Sequence, residues 1–206
     1  MVSPEQVWGL LDARTDPSLR RLAVVAITTG LRMGEQLGLR WVDIDFERRC
    51  LHVRSAIQRA SRVYSPVEPK SASSRRVAAF PDAALAALRE EHQAPIEAQL
   101  AAGRRWHQPI PDLVFTTAAG QPRNGTSVIH LFQDALQRAG LPRLRWHDLR
   151  ASHGALLLAG GADISVVSRK LGHSSVALTS RHYGGVVDAL QLDAADRLGR
   201  LLQRPG

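Results

Sequence analysis

The chain has 206 residues, enough for one compact domain with a core of its own. Its 44% hydrophobic and 22% charged residues are those of an ordinary globular chain; no apolar run approaches the roughly 18 residues of a membrane span, and the opening MVSPEQVWGLLDA lacks the basic-then-apolar layout of a signal peptide, so a cytoplasmic location is expected. A single cysteine, Cys50, excludes an internal disulfide, and a net charge of +8 with an isoelectric point near 11 points to a polyanion, most often nucleic acid.

Ser3-Pro4-Glu5 reads as a helix start, with Ser as cap and Pro in the first turn, continued by Val7, Leu10 and Leu11. Pro17 to Thr29 is a second helix, buried through Leu19, Leu22, Val25 and Ala26 and stopped by Gly30. A third runs from Gly34 to Leu39. The texture then changes: Cys50 to Ile57, Arg62 to Val67 and Arg75 to Phe80 are short and β-branched or alternating, and predict a three-stranded antiparallel sheet with Glu68 to Ser74 as a turn. Cys50, in the alternation CLHV, is read as a buried strand residue.

Pro81-Asp82 opens a long Ala/Leu-rich helix to Ala102. Gly103 to Pro122 is loop-like around a short buried Leu113-Val114-Phe115. Helices follow at Asn124 to Ala139, His147 to Ala159, Asp163 to Leu171 and Ser174/Ser175 to Tyr183. Gly184-Gly185 separates a last amphipathic helix, Val186 to Leu202, with Val187, Leu190, Ala194, Leu198 and Leu201 on one stripe. The fold class is α+β, mostly helical, in one domain with a small early sheet.

Several positions carry chemistry. His147-Asp148-Leu149-Arg150 puts an imidazole and a guanidinium on one face of a helix N-terminus, which already favours an anion. Gly172-His173-Ser174 places a second histidine in a sharp turn. Tyr183, beside His182 and two glycines, reads as exposed or mobile and not packed. Arg32 opens a helix with Glu35 three residues on, able to hold the guanidinium plane. Each pair alone is as ordinary as a surface ion pair or a cap; their order and spacing together are not. Of the 27 basic residues only Lys70 and Lys170 are lysines, which singles out Lys70 in the turn before the third strand.

HDLRASHGALLLAGGADISVVSRKLGHSSVALTSRHYGGV and TTGLRMGEQLGLRWVDIDFERRCLHV resemble the second and first conserved boxes of the tyrosine recombinase and phage integrase family, and EPKSASSRRVAAFP resembles the hairpin that carries its catalytic lysine. The resemblance covers residues 3 to 187. It implies the tyrosine-recombinase catalytic fold and a site-specific recombinase that cuts and rejoins double-stranded DNA, with catalytic residues Arg32, Lys70, His147, Arg150, His173 and Tyr183. Tyr183 would be the nucleophile, leaving a 3′-phosphotyrosyl link and a free 5′-hydroxyl. Arg32 and Arg150 would grip the non-bridging oxygens, Lys70 would protonate the departing 5′-oxygen, His147 would assist proton movement, His173 would hydrogen-bond a phosphate oxygen, and Glu35 would orient Arg32.

No metal and no cofactor are expected, and the partners implied are DNA and further copies of the chain, a tetramer on paired sites and a monomer without DNA. Arg75, Arg123, Arg143 and Arg145 are candidate DNA-backbone contacts. The helical N-terminal domain that family members carry is expected to be absent from this chain. The last helix, residues 186–203, packs either on its own domain or on a neighbouring protomer. Two departures affect the surroundings of Tyr183: Gly184-Gly185 follow it where a small residue and then His are common, and Ala151, Ser152 and His153 follow Arg150, with His153 read as a partly buried helix residue. Rival readings are a metal-dependent nuclease using Asp43, Asp45 and Glu47, a non-catalytic DNA-binding regulator on the same fold, and a type IB topoisomerase-like relaxation activity.

Overall fold

Asp16 caps the first described helix, α1 (Pro17–Thr29): its Oδ1 accepts from the Leu19 N–H at 2.8 Å, and Pro17 occupies the turn where no N–H is needed. The structure is a computed structural model that describes residues 9, 16–61, 63–68, 75–103 and 106–201; the helix start expected at Ser3 lies outside the described residues, and so does Lys70. Leu19, Leu22, Val25 and Ala26 are all buried, as their spacing requires. Gly30 ends α1 at φ +66°, its N–H bonded to the Ala26 carbonyl at 3.0 Å. The next helix, α2 (Met33–Leu37), starts one residue earlier than expected and stops short of Leu39.

The small sheet is three-stranded and antiparallel, but its membership differs from the expectation. It runs β1 (Ile44–Asp45), β2 (Cys50–Val53), β5 (Arg76–Ala79), while β3 (Ala56–Ala60) and β4 (Val63–Val67) form a separate hairpin. The expected strand 50–57 breaks at Arg54-Ser55. There Ser55 Oγ donates to the Gly38 carbonyl at 3.1 Å, and the backbone of Ala56 and Ile57 lies so close to Gly38 that a Cβ would sit 2.8 Å from the Ile57 nitrogen. The chain leaves the line of β2 to lie on α2, so the expected middle strand follows it out of the sheet. Leu51 and Val53 face the core, and Cys50 is in the strand as expected but only half-buried.

Beyond the sheet come α3 (Asp82–Ala102), α4 (Gly125–Arg138), α5 (Trp146–Ala159), α6 (Ile164–Leu171), α7 (Val176–His182) and α8 (Gly184–Leu201). Asn124, Asp163 and Ser175 cap α4, α6 and α7 through side-chain oxygens. The buried Leu113–Phe115 stretch pairs with Arg40. The main core packs α1 against α3 and α5, with Phe132 and Trp146 edge-to-face at 5.1 Å and Trp146 Nε1 donating to Gln36 Oε1 at 3.0 Å.

A second, smaller cluster joins Leu158, Val167, Leu171 and Tyr183, with Val186, Val187 and Leu190 packed on it. Gly184 and Gly185 do not separate α8 from what precedes it. They are its first two residues, because the Tyr183 carbonyl accepts from Val186 and Val187 at 2.9 and 3.0 Å. The stripe positions Ala194, Leu198 and Leu201 have side chains outside the described residues.

Candidate active site

Two turns bring the basic groups together. One is at Gly30, between α1 and α2; the other is at Leu171-Gly172, between α6 and α7, where Gly172 adopts φ +64°. Both turns need a left-handed residue, and only glycine adopts that freely. Each leaves a carbonyl facing Arg150: Nη1 donates to Gly30 O and Nη2 to Leu171 O, both at 2.5 Å. Arg150 is thereby buried and fixed across two elements. Arg32, half-exposed at the cap of α2, donates from Nη2 to the Gly172 carbonyl at 3.2 Å and from Nη1 to Glu35 Oε1 at 2.9 Å.

Glu35 holds more than Arg32. Its Oε2 also accepts from the Arg32 backbone N–H at 2.8 Å, and Arg76 forks onto both carboxylate oxygens at 3.0 and 2.9 Å while donating from Nε to Lys170 O at 2.7 Å. Glu35 and the Arg76 side chain are each 6% exposed. Burial alone would raise the Glu35 carboxyl; the hydrogen bonds and charge of Arg76, with Arg32 behind them, outweigh it and hold the carboxyl below its usual range. Burial, then the charges of Arg32 and Arg76, brings Arg150 down to about 10, which still leaves it charged at neutral pH. Three guanidiniums against one carboxylate leave a net positive site, suited to an anion.

The histidines enter from either side. His147 stands exposed in the first turn of α5; partial shielding from water, then the charges of Arg150 and Arg145, lowers its pKa and favours the neutral ring. His173, half-buried after Gly172, has Nδ1 2.8 Å from Thr179 Oγ1, and burial followed by the charge of Arg150 brings it to about 4. Its ring lies 5.8 Å from that of His182, whose ring is 6.4 Å from Tyr183.

Tyr183 corrects an expectation. It is 4% exposed, not an unpacked side chain. Its ring lies against Gly154 on α5, burial raises its pKa, and the charge of Arg150 acts in the opposite direction. The neighbouring glycines loosen nothing because they are helical. His153, read as partly buried, is 4% exposed, with Nδ1 2.8 Å from the Ile27 carbonyl.

Arg32, Glu35, His147, Arg150, His173 and Tyr183 therefore share one electrostatic neighbourhood. The candidate DNA contacts divide. Arg143 and Arg145 line an open groove of about 390 Å3 with His147 and Arg150, and Arg145 pairs with Asp148 at 2.8 Å. Arg75 is exposed, paired with Glu68 at 2.5 Å, beside a depression lined by His52, Arg54 and Arg76. Arg123 instead donates to Thr116 O at 2.9 Å in a separate depression with Arg21. Asp43 pairs with Arg54 at 3.3 Å and Asp45 accepts from the Arg48 backbone; among the described residues no three His, Cys, Asp or Glu side chains cluster as a metal site would need.

Sequence reasoning missed three residues. Arg76 was legible in part: along Arg76–Ala79 it shares a strand face with buried Ala78, whereas Arg75 precedes the strand. Thr179 and Gly154 gave no such signal, since each matters through one spatial neighbour.

The family model described as "Phage integrase family" matches residues 2–188. A relative named tyrosine recombinase XerC-like, from Caldanaerobacter subterraneus subsp. tengcongensis, is 31% identical over 97% of this chain and 54% of its own length. The ICEBs1 integrase of Bacillus subtilis is 30% identical over 86% of this chain and 48% of its own. The chain thus spans about half the length of the curated relatives it matches. In fold it is similar to the Tn1549 transposon integrase solved in complex with transposon right end DNA, with TM-score 0.77 and 21% identity, covering 94% of this chain and 65% of that one. It is also similar to XerA recombinase, with TM-score 0.72 and 19% identity, covering 93% and 64%.

Proposed function

We propose that this chain, which belongs to the phage integrase family, is the catalytic part of a site-specific DNA recombinase that cuts and rejoins strands through Tyr183, without a metal ion or cofactor. What supports the reading is the convergence of Arg32, His147, Arg150, His173 and Tyr183 from separate segments onto one cationic neighbourhood.

The phenol oxygen attacks the scissile phosphorus. A Tyr183 Oη–P bond forms, the P–O5′ bond breaks, and the products are a 3′-phosphotyrosine and a 5′-hydroxyl. Attack by another strand's 5′-hydroxyl runs the same steps backwards, so the phosphodiester's energy is retained. A phenol with a raised pKa needs a base at neutral pH, and His147, kept neutral, accepts that proton. Arg150 and Arg32 bind the non-bridging oxygens. Their forks are held before substrate arrives, which is where electrostatic catalysis gains most. His173 gives a hydrogen bond to the same phosphate, and Glu35, with Arg76, orients Arg32. Lys70 is assigned by resemblance as the acid for the leaving 5′-oxygen. Arg75, Arg143 and Arg145 extend the basic surface along the duplex. The working assembly is a tetramer on paired sites in the cytoplasm, formed from DNA-free monomers.

The test is a suicide duplex built on a sequence this chain retains from a random pool, incubated in EDTA. Wild-type protein is expected to become covalently joined to the DNA 3′ end and Tyr183→Phe is not. An adduct formed by the Phe variant, or none by wild type, overturns the reading.

A further inference from the structure

Gly154 sits buried in the interior of α5, where alanine is the better helix former. Its φ is not in the left-handed region, so the backbone does not require glycine there. What requires it is space. A Cβ at 154 would overlap Oη and Cζ of Tyr183 and come within 3.0 Å of Cε2. Among the described residues no hydrogen bond fixes the phenol oxygen; packing against Leu158, Val167, Leu171 and the bare α5 backbone holds the ring. Arg150 stands four residues earlier on the same helix, hence on the same face and about one 5.4 Å turn away.

We propose that Gly154 is the positioning residue for the nucleophile: the missing side chain is the seat of the Tyr183 ring, and the seat fixes the phenol oxygen relative to the Arg150 guanidinium. The catalytic half of this statement rests on the reading of Tyr183 as the attacking group; the seat itself does not. Refilling the position displaces the ring without touching any group that grips phosphate. A displacement of about 1 Å costs on the order of a hundredfold in rate when the reacting atoms must be aligned.

The chain has two tyrosines, Tyr64 and Tyr183. In a Tyr64→Phe background, tyrosinate absorbance therefore reports Tyr183 alone. Its ionisation is expected above the ordinary phenol value of about 10, falling back toward it when Gly154→Ala is added. The same substitution is expected to slow adduct formation on the suicide duplex by about a hundredfold with duplex affinity unchanged. An unchanged titration overturns the seat, and a shifted titration with an unchanged adduct rate overturns its positioning role. If wild-type protein forms no adduct at all, the nucleophile reading fails while the titration still decides the seat. Should Gly154→Ala unfold the protein, Gly154→Ala with Tyr183→Ala is expected to recover the unfolding midpoint of Tyr183→Ala alone. A double variant as unstable as Gly154→Ala shows that the ring is not what fills the space, and the proposal falls.

Discussion

Around Gly30 and Leu171 the guanidiniums are tied down by directional bonds: Arg150 spans two carbonyls, Arg76 and Arg32 share Glu35, and the Arg150–Gly30 and Arg76–Glu35 contacts join segments far apart in the chain. Around Tyr183 the construction is different. The ring sits with three other buried apolar residues against a helix that lacks one side chain, and Thr179 links the Tyr183 backbone N–H to His173. Polar networks specify geometry closely but fail badly when one member goes. Packing yields more gradually and allows a side chain to leave its seat. On the proposed function, the phosphate grip is therefore held by directional bonds before substrate arrives, and the nucleophile is held by packing.

Glu35→Ala breaks that contrast most severely. Arg76 would remain buried without its carboxylate, and Arg32 would lose its brace. Removing one partner of a buried pair costs about 3–5 kcal/mol, so a large loss in urea-unfolding free energy is expected. Replacing both, Glu35→Leu with Arg76→Met, should recover most of the stability while leaving cleavage impaired, which separates holding the fold from holding Arg32.

Acid attacks the same region with a smaller effect. His153 packs against Gly30, Nδ1 faces the Ile27 carbonyl, Nε2 is buried without a hydrogen-bond partner among the described residues, and burial, then the charge of Lys170, lowers its pKa to about 4. A base whose folded pKa is depressed favours folding in its neutral form. Its contribution is whole above the unfolded value near 6.5 and is lost as pH falls toward about 4. The amount is on the order of 3 kcal/mol. His147 and His173 shift in the same direction, and Glu35 adds its own loss once pH falls through its depressed carboxylate range. Melting temperature against pH should therefore fall less steeply for His153→Gln than for wild type; parallel curves would remove His153 from the account.

The two sides were not equally legible in the amino-acid order. Arg32, Glu35, His147, Arg150 and His173 lie at helix starts or glycine turns, where local rules say which way a side chain is presented, and the structure brings them together. Tyr183 misled because glycine neighbours suggest looseness only when no helix claims them, and what claims these two is the packing of Val186, Val187 and Leu190 on the cluster. The sheet misled for a similar reason: nothing in 50–57 shows that Gly38, many residues earlier, would pull Ser55 aside. A bare helix position such as Gly154 gains meaning only when the ring across from it is known.

Thr179 gives the finest probe of the tyrosine side. Its hydroxyl lies 2.8 Å from His173 Nδ1, and its carbonyl accepts the Tyr183 N–H at 3.0 Å, so one fully buried residue links the histidine to the end of α7. Thr179→Val keeps the shape and the backbone bond and removes only the side-chain bond, worth about 1 kcal/mol. If that bond sets the ring plane of His173, strand cleavage should drop about five- to tenfold with DNA affinity unchanged. Thr179→Ser does the reverse: it keeps the hydroxyl and empties a methyl from a tight spot, costing about 1 kcal/mol of stability. Orientation predicts a crossing, with Ser less stable than Val yet faster at cleavage. Pure packing predicts Ser below Val on both measures, so the two variants assayed side by side decide whether Thr179 carries a polar link from His173 into the otherwise apolar seat of Tyr183.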